Sequence, residues 1–104
     1  MLIEQTSTPL FHFKLEEGHL QMVIVHNKRG QYGIIENVFV EEKFRRRGVA
    51  TRLVAEAVEL AKKLGLYKIT LTCNKSLVDF YKYRGFEWKE NGQAYCMRMN
   101  LDGV

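Results

Sequence analysis

Residues 39–57, FVEEKFRRRGVATRLVAEA, pass from an apolar stretch through a basic, glycine-bearing turn into a periodic apolar pattern. A glycine-containing loop that leads from a strand into a helix exposes the unpaired N–H groups of the helix's first turn, and the helix dipole adds positive potential there. That chemistry suits a phosphate. Gly48 lets backbone approach an anion closely, Ala50 keeps the next turn uncluttered, and the arginines neutralise charge from the flank. Lys43, Arg45, Arg46, Arg47 and Arg52 crowd one spot, five of the 16 basic residues, which favours a local anion over a long polyanion. Neither GxxxxGK[ST] nor GxGxxG occurs, so the nucleoside-triphosphate and dinucleotide forms of this device are unsupported.

The elements that must position this loop follow from periodicity. Phe11, Phe13 and Leu15 alternate with His12 and Lys14 as in a half-buried strand, residues 16–19 turn, and residues 20–26 form the next strand. Residues 27–33, with Gly30 and Gly33, predict a second reversal. Residues 34–40 read as a central strand interrupted only by Glu36 and Asn37. From Val49 to Leu64 the apolar residues recur at helical spacing, and Gly65 is a natural stop. Residues 67–73 alternate as a strand, so strand, helix and strand predict a parallel crossover. A second helix is expected over roughly 75–84, then a hairpin about Asn91-Gly92.

Length and composition set the bounds. A chain of 104 residues, 46% hydrophobic, is expected to be a single domain spanning 1–104 that folds without a metal or disulfide staple. Cys73 and Cys96 form no CxxC pair and no histidine cluster accompanies them, so no metal site and a reducing, cytoplasmic setting are expected. The first residues do not resemble a signal peptide, and no apolar run has the length of a membrane span. A net charge of +4 would suit nucleic acid, but the aromatics are spaced as core residues and no nucleic-acid motif appears.

Arg45-Arg46-Arg47-Gly48-Val49-Ala50 resembles the (Arg/Gln)-x-x-Gly-x-(Gly/Ala) loop of the GNAT superfamily of acetyl-CoA-dependent N-acetyltransferases. Asn74, Leu77, Phe80-Tyr81 and Gly85-Phe86 resemble the family's second signature, N-x-x-A-x-x-F-Y-x-x-x-G-F, departing at Leu77. The resemblance covers about residues 20–101 and implies an α/β, three-layer mixed sheet of about six or seven strands with two main helices. It further implies acetyl-CoA as co-substrate, its pantetheine arm along Val38, Phe39 and Val40. Arg45, Arg46, Arg47, Gly48, Val49, Ala50 and Thr51 would lie around the pyrophosphate, with Asn74 at the facing strand's end. Tyr81 would point at the sulfur.

Acetyl transfer needs a neutral amine, a donor for the oxyanion and a proton for the leaving thiolate. Tyr81, with an ordinary pKa near 10 against about 8.5 for a thiol, suits the last task. Glu36, an acid within an apolar strand, is the candidate base acting through water; its alternative is a structural acid paired across the sheet. Cys73 ends a parallel strand beside the site, but His12, His19 and His26 all lie in the first quarter and none is placed to activate it.

Family members usually carry another strand and two helices before the meander, and those helices form much of the acceptor pocket. Only about ten residues precede Phe11 here. The acceptor therefore stays open among small polyamines, amino sugars, peptide N-termini and lysine. A homodimer is one way to close the expected open wall. The rival reading is a non-catalytic acyl-CoA-binding or protein-interaction subunit of the same fold.

Overall fold

The computed structural model describes residues 1–7, 9–91 and 94–101. Its strands are β1 (Leu2–Ser7), β2 (Leu10–Leu15), β3 (Gly18–Asn27), β4 (Gly30–Val40), β5 (Lys68–Cys73), β6 (Glu87–Asn91) and β7 (Ala94–Asn100), with helices α1 (Val49–Lys63) and α2 (Val78–Tyr83). They form one mixed sheet ordered β1-β2-β3-β4-β5-β7-β6. β4 and β5 run parallel around the α1 crossover, and every other neighbouring pair is antiparallel. A mixed sheet of this size with two helices is the expected architecture, but among the described residues both helices pack on one face, so the expected three layers are two. No helix among the described residues is long and apolar enough to cross a membrane.

Several boundaries differ from the expected ones, each for a local reason. Leu2–Ser7 lacks a clean alternation, yet it pairs along β2 as an edge strand. β4 begins at Gly30 because the reversal is confined to Lys28 and Arg29, where the Asn27 side-chain oxygen accepts the Arg29 N–H at 2.9 Å. Gly33 is a packing glycine within β4: a Cβ there would press on the Met22 sulfur at 2.8 Å. The expected helix over 75–84 opens with a 3-10 turn at Lys75–Leu77 before α2 begins. β6 and β7 form the expected hairpin. The expected turn at Asn91-Gly92 falls partly outside the described residues, and Asn91 is the last residue of β6.

α1 forms where the apolar period is strongest and buries Val49, Leu53, Val54, Ala57 and Ala61. They meet Phe13, Leu20, Met22, Ile35, Ile69, Leu71 and Met97, which the strand registers place on one face of the sheet. Each fully buried large aliphatic side chain there stabilises the fold by about 1.5–3 kcal/mol. α2 docks on the same face, with Tyr81 and Phe86 in the same apolar cluster. Both helices end at a glycine in the left-handed region, Gly65 and Gly85. Leu66 and Phe86 donate back to the carbonyls of Ala61 and Tyr81, which satisfies the last turns.

The feature that matters most for function lies in β4. Gln21 pairs with Glu36 and His19 with Phe39, so β4 carries one extra residue, a bulge at Asn37 and Val38. Asn37 takes φ 54°, which asparagine tolerates better than most residues. Its side-chain amide donates to Gln21 at 2.6 Å, and the Gln21 amide lies 3.1 Å from the His12 ring nitrogen. The bulge bends β4 away from β5, and only Gly33↔Ile69 and Ile34↔Thr70 remain paired. Beyond Ile34 the two parallel strands part.

Candidate functional site

The gap between the parted strands is a groove of about 1380 Å³. Its walls are the bulged end of β4, the loop and first turn leading into α1, the end of β5, and α2. Among the residues singled out in the sequence, Glu36, Val38, Phe39, Val40, Arg45, Arg46, Gly48, Val49, Ala50, Thr51, Asn74 and Tyr81 all line it. Arg47 does not: its guanidinium sits 5.8 Å from the centre of the Phe44 ring. Arg45 reaches the groove but donates its Nε to the Val40 carbonyl at 3.0 Å, closing the loop that follows β4.

That loop turns sharply, with both Arg46 (φ 64°) and Gly48 (φ 78°) in the left-handed region. Gly48 starts α1, no side chain caps the helix, and its first turn holds no carboxylate. The first helical hydrogen bond runs from the Arg52 N–H to the Gly48 carbonyl at 3.0 Å. The N–H groups of Val49, Ala50 and Thr51 therefore precede the regular ladder, at the positive end of a 15-residue helix. This end of the groove is built for an anion.

Tyr81, on α2, lines the same groove; it is 4% exposed and its ring is held edge-on between Phe80 and Phe86, at centroid distances of 5.0 and 5.7 Å. Burial pushes its hydroxyl above the usual tyrosine range, and the nearby Cys73 thiol adds to this while Arg84 opposes it. Tyr81 thus stays protonated through neutral pH. Burial also pushes the Cys73 thiol up, with Cys96 adding to the effect, so Cys73 is a thiol rather than a nucleophilic thiolate.

Glu36 is exposed, and the register with Gln21 puts it on the sheet face opposite the one that α1 and α2 cover. It forms no ion pair among the described residues, so the paired structural acid finds no support there. An acid on one face and a protonated phenol on the other thus bracket the opening. Phe44, Thr72 and Arg84, which sequence patterns do not single out, also line the groove. Arg84 carries a signal all the same: a cation three residues after Tyr81 returns to the same side of a short helix.

A sheet opened between parallel strands above a helix that starts at a glycine defines the acyl-CoA N-acyltransferase class of folds. The profile of the acetyltransferase (GNAT) family matches residues 7–86, and the chain belongs to that family. An uncharacterized N-acetyltransferase of Methanocaldococcus jannaschii is 44% identical over 59 residues, 54% of this chain and 26% of that protein. A probable glucosamine 6-phosphate N-acetyltransferase of Oryza sativa subsp. japonica is 40% identical over 57 residues, 55% of this chain and 34% of that protein. The matches thus span about a quarter to a third of these relatives' lengths. In structure, the chain is similar to a PaiA N-acetyltransferase from Thermoplasma acidophilum crystallised with coenzyme A: TM-score 0.72, 17% identity, covering 88% of this chain and 59% of that one.

Proposed function

We propose that this chain transfers the acetyl group of acetyl-CoA to a primary amine by direct attack of the amine on the thioester. The observation that carries the reading is the groove itself, lined by both an uncapped, carboxylate-free helix start and a protonated, buried phenol. The pantetheine arm would lie along Val38, Phe39 and Val40, where β4 has left its β5 partner and its backbone groups need other acceptors and donors. The pyrophosphate would sit on the N–H groups of Val49, Ala50 and Thr51, with Gly48 beneath it, Arg46 beside it and Asn74 across the gap. The amine nitrogen bonds to the thioester carbon as the C–S bond breaks. Tyr81 gives its proton to the leaving sulfur, and the proton lost by nitrogen passes through water to Glu36.

The test is release of the free CoA thiol from acetyl-CoA in the presence of a panel of polyamines, amino sugars and lysine-bearing peptides. Amine-dependent release supports the proposal. Tight acetyl-CoA binding with no amine raising release above the blank would instead select a non-catalytic acyl-CoA-binding subunit. For the base, Glu36→Gln is expected to lower kcat about a hundredfold with the best amine while leaving acetyl-CoA affinity intact. Unchanged turnover returns Glu36 to a bystander.

The proposal extends to assembly and setting. Val23, Val25 and Ile34 are only half-buried on the sheet face turned away from both helices, which supports a second copy covering that face. Light scattering at micromolar concentration should report a homodimer, and a mass near 12.2 kDa would contradict it. Cys73 and Cys96 are not joined in a disulfide, which supports a reducing, cytoplasmic setting.

A further inference from the structure

We propose that Arg84 is a positioning residue for the anion-binding end of the groove, acting through Thr51. Its guanidinium fixes the Thr51 hydroxyl as an obligate donor to the pyrophosphate of a CoA thioester. This rests on the CoA reading above and goes further by assigning a role to a residue outside both sequence signatures' fixed positions.

The geometry is specific. Arg84 Nε donates to Thr51 Oγ1 at 3.0 Å, and Nη2 donates to the same oxygen. Nη1 donates to the Phe80 carbonyl at 2.7 Å, and the guanidinium carbon lies 3.6 Å from the centre of the Phe80 ring. A threonine oxygen has two lone pairs and one proton, and a guanidinium can only donate. With both lone pairs engaged, the hydroxyl can interact further only by giving its proton away. A helical threonine commonly spends that proton on a carbonyl one turn back, yet no such bond is formed by Thr51 among the described residues. Thr51 and Arg84 both line the groove, and Thr51 belongs to the first turn of α1, beside the unladdered N–H groups. A hydroxyl already bonded to a cation is also a stronger donor, because hydrogen bonds in series polarise one another.

The same contacts join the start of α1 to the end of α2, so the anion cradle and the Tyr81 ring are held in one frame. Arg84 need not touch the ligand to matter. Its loss frees the Thr51 hydroxyl to accept from solvent or to turn back into the helix, and the pyrophosphate loses one charge-assisted bond.

Titrations with two probes test this: CoA, and pantetheine as a competitor, which carries the thiol and amides but no pyrophosphate. Arg84→Met should weaken CoA binding about ten- to a hundredfold, the span of a hydrogen bond to a charged group, and leave pantetheine unaffected. Thr51→Val should show the same selective loss, Thr51→Ser should restore native affinity, and the double variant should be no worse than either single one. In turnover the loss should fall on the KM for acetyl-CoA and spare kcat. If Arg84→Met does not fold, Thr51→Val decides alone. Native CoA affinity in the folded variants, or an equal loss for CoA and pantetheine, would overturn the proposal while leaving the CoA reading intact. Failure of the native protein to bind CoA would overturn both.

Discussion

Tyr81→Phe is expected to lower turnover by about ten- to a thousandfold on the true acceptor, near the range of a general acid, while leaving acetyl-CoA affinity nearly intact. The substitution removes one oxygen and keeps the ring between Phe80 and Phe86. The Tyr81 hydroxyl has no hydrogen-bond partner among the described residues, so its loss orphans no protein group and the melting temperature should hold or rise slightly. The loss belongs to the chemical step, where the departing thiolate would go unprotonated. Because burial raises the Tyr81 pKa, the acid form persists through neutral pH, and the alkaline limb expected of the native protein's turnover lies above the ordinary tyrosine value. That limb should vanish in Tyr81→Phe. A variant that keeps native turnover with the true amine would remove Tyr81 from the chemistry.

Gly48→Val should cost more than about a hundredfold in acetyl-CoA affinity, through backbone rather than crowding. A Cβ at Gly48 would meet no heavy atom within 4 Å, so the protein has room for it. The obstacle is φ 78°, a conformation that costs a residue with a Cβ about 1–2 kcal/mol and a β-branched one more. The loop then has two ways out. It can keep its shape and place the new side chain where an anion would approach the helix start, or relax and turn the N–H groups of Val49 and Ala50 out of alignment. Either outcome spoils the cradle, whereas the helix itself is anchored further on by Leu53, Val54 and Ala57 and should stay folded. Calorimetry on the variant, with a thermal melt as the folding control, reads the result. A folded Gly48→Val protein with native affinity would show that the anion end lies elsewhere.

The contrast between these two residues shows how far sequence reasoning reaches and where it stops. Gly48 and Tyr81 belong to short local patterns, and the elements around them follow from apolar period, so these two parts of the groove lining are legible in the chain itself. The bulge at Asn37 and Val38 is not, because it is defined by the pairs His19↔Phe39 and Gln21↔Glu36, whose partners lie 15 to 20 residues apart in the chain. A central strand read from β-branched content gives no hint of one extra residue. Gly33 misleads for a related reason: its missing Cβ serves the Met22 side chain on a neighbouring strand, although glycine in a polar stretch reads as a turn. Arg47 and Arg84 exchange importance between sequence and fold. Three consecutive arginines read as one patch, but Arg45 braces the Val40 carbonyl and Arg47 lies over Phe44, while Arg84, just past the end of α2, reaches the start of α1.

Titration calorimetry of acetyl-CoA into the native protein is the most direct test of the claim that the groove between β4 and β5 holds this thioester. The account predicts saturable heat with one site per chain. A flat titration would contradict it.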